Sequence, residues 1–229
     1  MKTVAVVPAR KNSVGIPNKN LVKLNGIPLL QYTLECAINS GVVDEIIVTS
    51  DSEEILNFSR RFGATIVQEP EKSFDWKGHC IGAVMDALSI TGVEEDTAVF
   101  LLLPTSPLRL PIHCIDASLL LSGKDQSVIG VTKTSPFHSL RYINDDNTLV
   151  PLMETRTANT LNITRQSARE LYRVNGAIFL TRYSTLLKYN TFHVPSAIPF
   201  IMESEYSIDI NNKEDLAIAE TLLRTHNRG

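Results

Sequence analysis

The sequence predicts an α/β chain whose doubly wound sheet is mostly parallel. Short β-branched runs alternate with stretches of helical period through the first half, and the run AVFLLLP at 98–104 is apolar without alternation. Such a run is expected of a strand that helices cover on both faces. The series opens with TVAVVP. It continues through Leu30, Leu34, Ala37 and Ile38 at helical spacing to a stop at Gly41, and resumes with EIIVTS, which makes a strand, a crossover helix and a strand. TIVQE predicts the next strand and residues 80–91 a helix. Ile112, Ile115, Leu119 and Leu120 predict the core face of another. After SVIGVTK the rhythm breaks: residues 135–171 are polar, hold Pro136, Pro151 and the fragment NDDN, and show no sustained period, so they read as an excursion from the sheet. RVNGAIFLTR, AIPFIM and YSIDI then predict strands, and an amphipathic helix runs to about Leu223. We read residues 1–229 as one domain.

Composition narrows the function classes. The hydrophobic fraction is 43%, the charged fraction 21% and the net charge −3, which gives no basic surface for nucleic acid. No run approaches the length of a membrane span, and the N-terminal apolar run is cut short by Pro8 and Arg10. Cys36, Cys80 and Cys114 are odd in number and far apart, which predicts neither a zinc cluster nor a disulfide framework. The expected compartment is the cytoplasm.

The stretch VAVVPARKNSVGIPNKN at 4–20 runs from a strand into a turn-rich loop that holds Arg10, Lys11 and Lys19 and no acidic residue. In an open α/β sheet ligands bind beyond the carboxyl ends of the strands, so this loop overhangs the crevice. Ser13, Gly15 and Asn20 suit a backbone that turns tightly and presents amide hydrogens to an anion, and the inventory fits a polyphosphate. Gly15 stands apart from any other glycine in the loop, so neither the dinucleotide fingerprint nor the P-loop is present. LLLPTSPLR at 101–109 ends a buried strand and turns, with Ser106 and Arg109 expected in the crevice. In SIDIN at 207–211, alternation puts Ile208 and Ile210 on one face and Ser207, Asp209 and Asn211 on the other. Asn211 followed by Glu214 reads as a helix N-cap with its partner.

ARKNSVGIPNKNL resembles the opening motif of the CMP-sialic acid synthetases (N-acylneuraminate cytidylyltransferases). IIVTSD, LLLPTSPLR, YRVNGAIFL and SIDINNKEDL resemble four further pieces in the same order, so the resemblance touches nearly the whole chain. It implies a Rossmann-like nucleotide-sugar transferase fold, with residues 135–171 as an inserted arm that makes a homodimer. The implied reaction joins CTP to a nine-carbon sugar acid: the anomeric hydroxyl attacks the α-phosphorus and pyrophosphate leaves. Positioning, charge neutralisation and a divalent cation such as Mg2+ do most of that chemistry.

By the resemblance, Arg10 and Lys19 bind the triphosphate, Asn20 helps hold the nucleotide, and Asp209 binds the metal; these give Arg10, Lys19 and Asp209 as catalytic. Asn211 stands where relatives usually carry a second aspartate, so it is a possible second metal ligand, although we favour the cap. Cys80 takes the place of a nucleotide-binding serine, and Val14 that of a frequent lysine. Leu103 takes the place of a glutamine that contacts the sugar, which leaves N-acetylneuraminate, legionaminate and pseudaminate open. Arg165 and Arg173 match basic positions facing the sugar, where a guanidinium can pair with the carboxylate. Asn175 and Gly176 match the sugar pocket. The alternatives are a Kdo-type cytidylyltransferase, or a nucleotide- or sugar-binding homologue without catalysis.

Overall fold

The computed structural model describes residues 1–11, 15–69, 80–134, 141–151 and 170–226. In chain order the elements are β1 (Thr3–Pro8), β2 (Lys23–Leu24), β3 (Ile27–Pro28), α1 (Leu29–Ser40), β4 (Glu45–Ser50), α2 (Glu53–Arg60), β5 (Thr65–Gln68), α3 (Ile81–Ile90) and β6 (Ala98–Leu101). They continue with α4 (Pro111–Leu120), β7 (Ser127–Thr134), β8 (Arg141–Ile143), β9 (Leu149–Pro151), β10 (Leu171–Arg182), α5 (Tyr183–Tyr189), β11 (Ala197–Ile201) and α6 (Lys213–His226).

Seven strands form one sheet in the order β11-β7-β10-β6-β1-β4-β5. β1 lies parallel to β4 and β6, β4 to β5, and β7 to β11, whereas β10 is antiparallel to both β6 and β7. The α/β, mostly parallel, doubly wound class therefore holds. Alternation along the central strands divides the core. Ala5, Val7, Phe100 and Leu102 pack with Leu30, Leu34, Ile55 and Ala117 on the face of α1, α2 and α4. Val4, Val6, Val99 and Leu101 pack with Val84, Leu88 and Leu186 on the face of α3 and α5. At roughly 1.5–3 kcal/mol for each large apolar side chain fully withdrawn from water, these two layers carry the stability of the sheet. α6 closes a third, smaller cluster with Ile16, Leu24, Leu29 and Ile210.

The chain moves from β1 outward to β4 and β5, then returns to place β6 on the other side of β1. The reversal opens a crevice between the loops that follow β1 and β6, where such sheets take ligands. Within β10 the register with β7 shifts between Val174 and Phe179, so residues 175–178 stand opposite Gly130. Gly176 takes φ +74° in this bulge, a conformation that costs glycine little.

Four expectations from the sequence are corrected. The core face of α4 is His113, Cys114 and Ala117; Ile112 is 48% exposed and Leu119 76%. Small Cys114 and Ala117 let α4 settle close to Cys36 and Ala37 of α1, and the larger aliphatics are left outside. Residues 207–211 are not a strand. They follow a 3-10 turn at Ser204–Tyr206 without regular structure of their own, and Ile208 and Ile210 still pack together in the α6 cluster. Third, the described part of the excursion holds a hairpin of its own, β8 with β9, whose three-residue strands are too short to show a period. Leu171, at the predicted end of the excursion, already pairs with Thr134 in the main sheet.

The N-cap of α6 is the fourth. Asn212, not Asn211, caps the helix: its Oδ1 accepts from Asp215 N at 2.8 Å, and Asp215 Oδ2 accepts from Asn212 N at 3.1 Å and Asn211 N at 2.8 Å. The box is therefore Asn212 with Asp215, one residue later than the pair read from the sequence. Replacing Asn212 by Ala should cost about 1 kcal/mol of unfolding free energy in urea, and Asn211→Ala under about 0.5 kcal/mol. The reverse order would show that Asn211 is the cap.

Candidate functional site

The loop after β1 leaves the sheet still tied to it, since Ala9 N donates to Thr49 O at 2.9 Å. Asn18 at φ 51° starts a 3-10 turn at Lys19–Leu21, a left-handed conformation that asparagine tolerates. Asn20 is buried, and its Nδ2 donates to the carbonyl of Arg10 at 2.7 Å. It braces the loop against itself. Gly15 needs its missing side chain for a steric reason: a Cβ there would lie 1.9 Å from the carbonyl oxygen of Asn211. The first loop of the chain thus rests directly on the segment that leads into α6.

The acids absent from the loop arrive from elsewhere. Arg10 forms a forked pair with Glu69, Nη2 to Oε1 at 2.7 Å and Nε to Oε1 at 3.1 Å. The Glu69 side chain is 1% exposed. Asp51 Oδ1 accepts from the amide of Lys11 at 2.7 Å. Glu69 and Asp51 follow β5 and β4 at their carboxyl ends, and the sequence reading missed both. Their strand-end positions were a signal, but their partners depend on strand order. Lys19 donates from Nζ to Ile210 O at 2.8 Å; burial pushes its pKa down, and the nearby charges of Asp209 and Asp215 push it back up.

The bulge in β10 supplies the centre. Around the place where a Gly176 Cβ would stand lie Ser106 Oγ at 3.6 Å, Leu103 Cδ1 at 3.7 Å and Asp209 Cγ at 3.9 Å. Four predicted positions from three distant segments converge there. Ser106 is fully buried and its hydroxyl has no hydrogen-bond partner among the described residues. Asn211 Nδ2 donates to Asp209 Oδ2 at 2.9 Å, and Ile210 N to Thr105 O at 2.8 Å. Arg173 is exposed and its Nη2 reaches Ser207 O at 3.5 Å.

This donor set fits a hard divalent cation bound with a nucleotide. It offers one carboxylate on Asp209, the amide of Asn211 and the orphaned Ser106 hydroxyl, all oxygen chemistry, around space that a side chain on residue 176 would fill. Among the described residues no group of three His, Cys, Asp or Glu could hold a metal, so such an ion would rely on phosphate and water for the rest of its shell.

Two predicted site residues are placed elsewhere. Arg109, expected in the crevice, is 3% exposed. Its Nη1 donates to Ala177 O at 2.7 Å and its Nη2 to Thr33 Oγ1 at 3.0 Å, so it clamps the bulge to α1 from behind. Asn175, expected in the sugar pocket, is 1% exposed; it donates to Ser207 Oγ at 3.0 Å and Met202 Sδ at 3.2 Å and accepts from Ala177 N at 3.0 Å. It shapes the bulge that presents Gly176. Ser13 and Arg165 lie outside the described residues. Cys80, at the start of α3, lines a cleft of about 410 Å3 with Leu101, Leu103, Phe179, Phe192 and His193. Burial raises its thiol pKa, which does not suit a nucleophile.

Residues 4–90 match the family described as Cytidylyltransferase. Over 230 residues the chain is 34% identical to the N-acylneuraminate cytidylyltransferase of Escherichia coli O18:K1:H7 (strain RS218 / NMEC), covering 99% of this chain and 53% of that protein. It therefore spans about half the length of that curated relative. The CMP-N,N'-diacetyllegionaminic acid synthase of Legionella pneumophila (strain Philadelphia 1) is 29% identical over 97% of each chain. A solved CMP:2-keto-3-deoxy-manno-octonic acid synthetase complexed with CTP shares the fold at a TM-score of 0.67 and 17% identity, over 99% of this chain and 100% of its own.

The close approach of Gly15 to Asn211 keeps the first loop seated on the segment before α6. Gly15→Ala should lower the unfolding free energy by about 1–3 kcal/mol, because the loop or the Asn211 carbonyl has to move. An unfolding midpoint in urea equal to that of the parent would show that the approach is not close.

Proposed function

We propose that the chain transfers CMP from CTP to the anomeric hydroxyl of a nonulosonic acid and releases pyrophosphate. The observation that carries the proposal is the convergence of Lys19, Ser106, Gly176 and Asp209 at the carboxyl edge of the sheet. Arg10 and Lys19 receive the triphosphate and offset its charge as pyrophosphate departs. Burial of Lys19 lowers its pKa, and an arriving anion favours its charged form. Mg2+ or a similar ion would be held by Asp209, with the Asn211 amide turned over or the Ser106 hydroxyl beside it. Such an ion supplies Lewis-acid stabilisation of phosphate charge. Arg173, exposed beside Ser207, would pair with the sugar carboxylate.

The named relatives act on N-acylneuraminate and N,N'-diacetyllegionaminic acid, and the cleft beside Leu103 bears on the choice. Its lining by Leu101, Leu103, Phe179 and Phe192 is better matched to acyl or deoxy substituents than to free hydroxyls, so legionaminate or pseudaminate suits this chain better than N-acetylneuraminate. A second reading, a binding homologue without turnover, draws on Asn211 lying where a second carboxylate would neutralise charge. Work as a homodimer through the arm at 135–171 is supported by exposed apolar residues on the hairpin and the adjoining strand. Ile143 is 66% exposed, Leu149 71% and Val174 43%. The described residues contain no helix long and apolar enough to cross a membrane, in keeping with the cytoplasmic placement we propose.

Pyrophosphate release with CTP and Mg2+, across N-acetylneuraminate, legionaminate, pseudaminate and Kdo, tests the reaction. Turnover with a nine-carbon acid is expected. Turnover with Kdo alone, or CTP binding without turnover, would replace the proposal with the corresponding alternative. Asp209→Ala should cut turnover on the order of 100-fold or more. Glu69→Gln, which loosens Arg10, should raise KM for CTP about tenfold. In light scattering the parent should have the mass of two chains and Leu149→Asp that of one; a monomeric parent would sink the homodimer.

A further inference from the structure

Behind the bulge, on the side of the sheet away from the apolar cleft, Arg109 is buried without a carboxylate. No ion pair forms between it and any described acid, and its Nε has no hydrogen-bond partner among the described residues. A buried guanidinium left uncompensated is costly. The groups packed beside it are two thiols, Cys36 on α1 and Cys114 on α4, which are 5% and 0% exposed and lie in the same core cluster. Interaction with the Cys114 thiol holds the Cys36 thiol below the usual thiol range, with help from the Arg109 charge and against the effect of burial. Cys114, its neighbour, is raised. Glu35 and Tyr32 also line this region, and a cleft of about 220 Å3 bounded by Cys36, Arg109, Pro107 and Leu223 opens it to small solutes.

We propose that Cys36 and Cys114 are a redox-active thiol pair, a modification site for a hydroperoxide-class oxidant that enters by this cleft, in which Cys36, on the cleft wall, reacts first and Cys114, packed behind it, resolves the product. The Cys36 thiolate attacks one peroxide oxygen. The O–O bond breaks, its far oxygen leaves as hydroxide or alkoxide, and the sulfur, oxidised by two electrons, becomes a sulfenic acid. Cys114 sulfur then attacks Cys36, its thiol proton goes to the departing hydroxyl, and the S–S bond forms as water leaves. The pair does not depend on the reaction proposed above, and Cys80, whose thiol pKa burial raises, takes no part.

The test exposes the full chain to hydrogen peroxide, blocks remaining thiols with iodoacetamide, and maps the digest by mass spectrometry. The expected product is a Cys36–Cys114 linked peptide two hydrogens lighter than its parts, restored by dithiothreitol, forming about tenfold or more faster than any oxidation of Cys80. In Cys114→Ser, Cys36 should stop as a sulfenic acid that dimedone traps, which a thiol with only a packing role would not give. Recovery of both thiols reduced while Cys80 is oxidised, or a linkage through Cys80, would overturn the proposal. Passage of Cys36 to sulfinic acid without a link in the parent chain would overturn it as well.

Discussion

Where the loop after β1 passes the segment before α6, the carbonyl of Asn211 takes the room that a Cβ on Gly15 would need, and Lys19 donates to the carbonyl of Ile210 next to it. Ile210 in turn donates its amide to Thr105 in the loop after β6. These backbone contacts join three stretches from the start, middle and end of the chain. Every other feature of the site is hung from that junction: Asp209 is brought beside Lys19, and the bulge of β10 is brought beside Asp209. Backbone contact of this kind cannot be re-formed by another side-chain rotamer, so a single methyl group at residue 15 would have to displace the loop or the Asn211 carbonyl.

Charge is compensated locally. Arg10 is held by a nearly fully buried Glu69, Lys19 lies among Asp209, Asp215 and a carbonyl, and Arg109 lies among carbonyl, hydroxyl and thiol. Two of these cations face the crevice and one does not. The difference lies in what surrounds them: Arg10 and Lys19 keep part of their surface open to a ligand, whereas Arg109 spends its donors on Ala177 and Thr33 and fixes the geometry of the bulge. A guanidinium serves both ends, because its fork can orient a substrate or lock a backbone turn.

Fold class was legible because it rests on local period and on apolar runs without alternation, and the main-sheet strands from Thr3 to Thr134 fell where those signals put them, whereas the two-residue β2 and β3 were too short to give a signal. Helix faces were less legible. In α4 the largest aliphatics pointed outward, because close packing against α1 selected Cys114 and Ala117 for the inside, a choice made by the neighbour and not by the helix. The site divided in the same way. Residues such as Lys19, Ser106, Gly176 and Asp209 could be picked out from their motif positions. Arg109 and Asn175 sat in the same motifs but turned inward, and Glu69 became visible once strand order had set β5 two places from β1.

β10 carries a further consequence. It is the strand that runs against the others, and it lies between β6 and β7, both of which precede it in the chain. As the polypeptide is made, β6 and β7 emerge with their facing edges unpaired and must remain apart until a strand some forty residues farther on slides between them. The sheet is thus closed from its middle by a late arrival, and that arrival carries Gly176. Assembly of the central sheet therefore brings Gly176 to the crevice, and a nascent chain stalled before Leu171 has β1, its loop and β6 in hand but lacks both the bulge and the Asp209 segment that follows it.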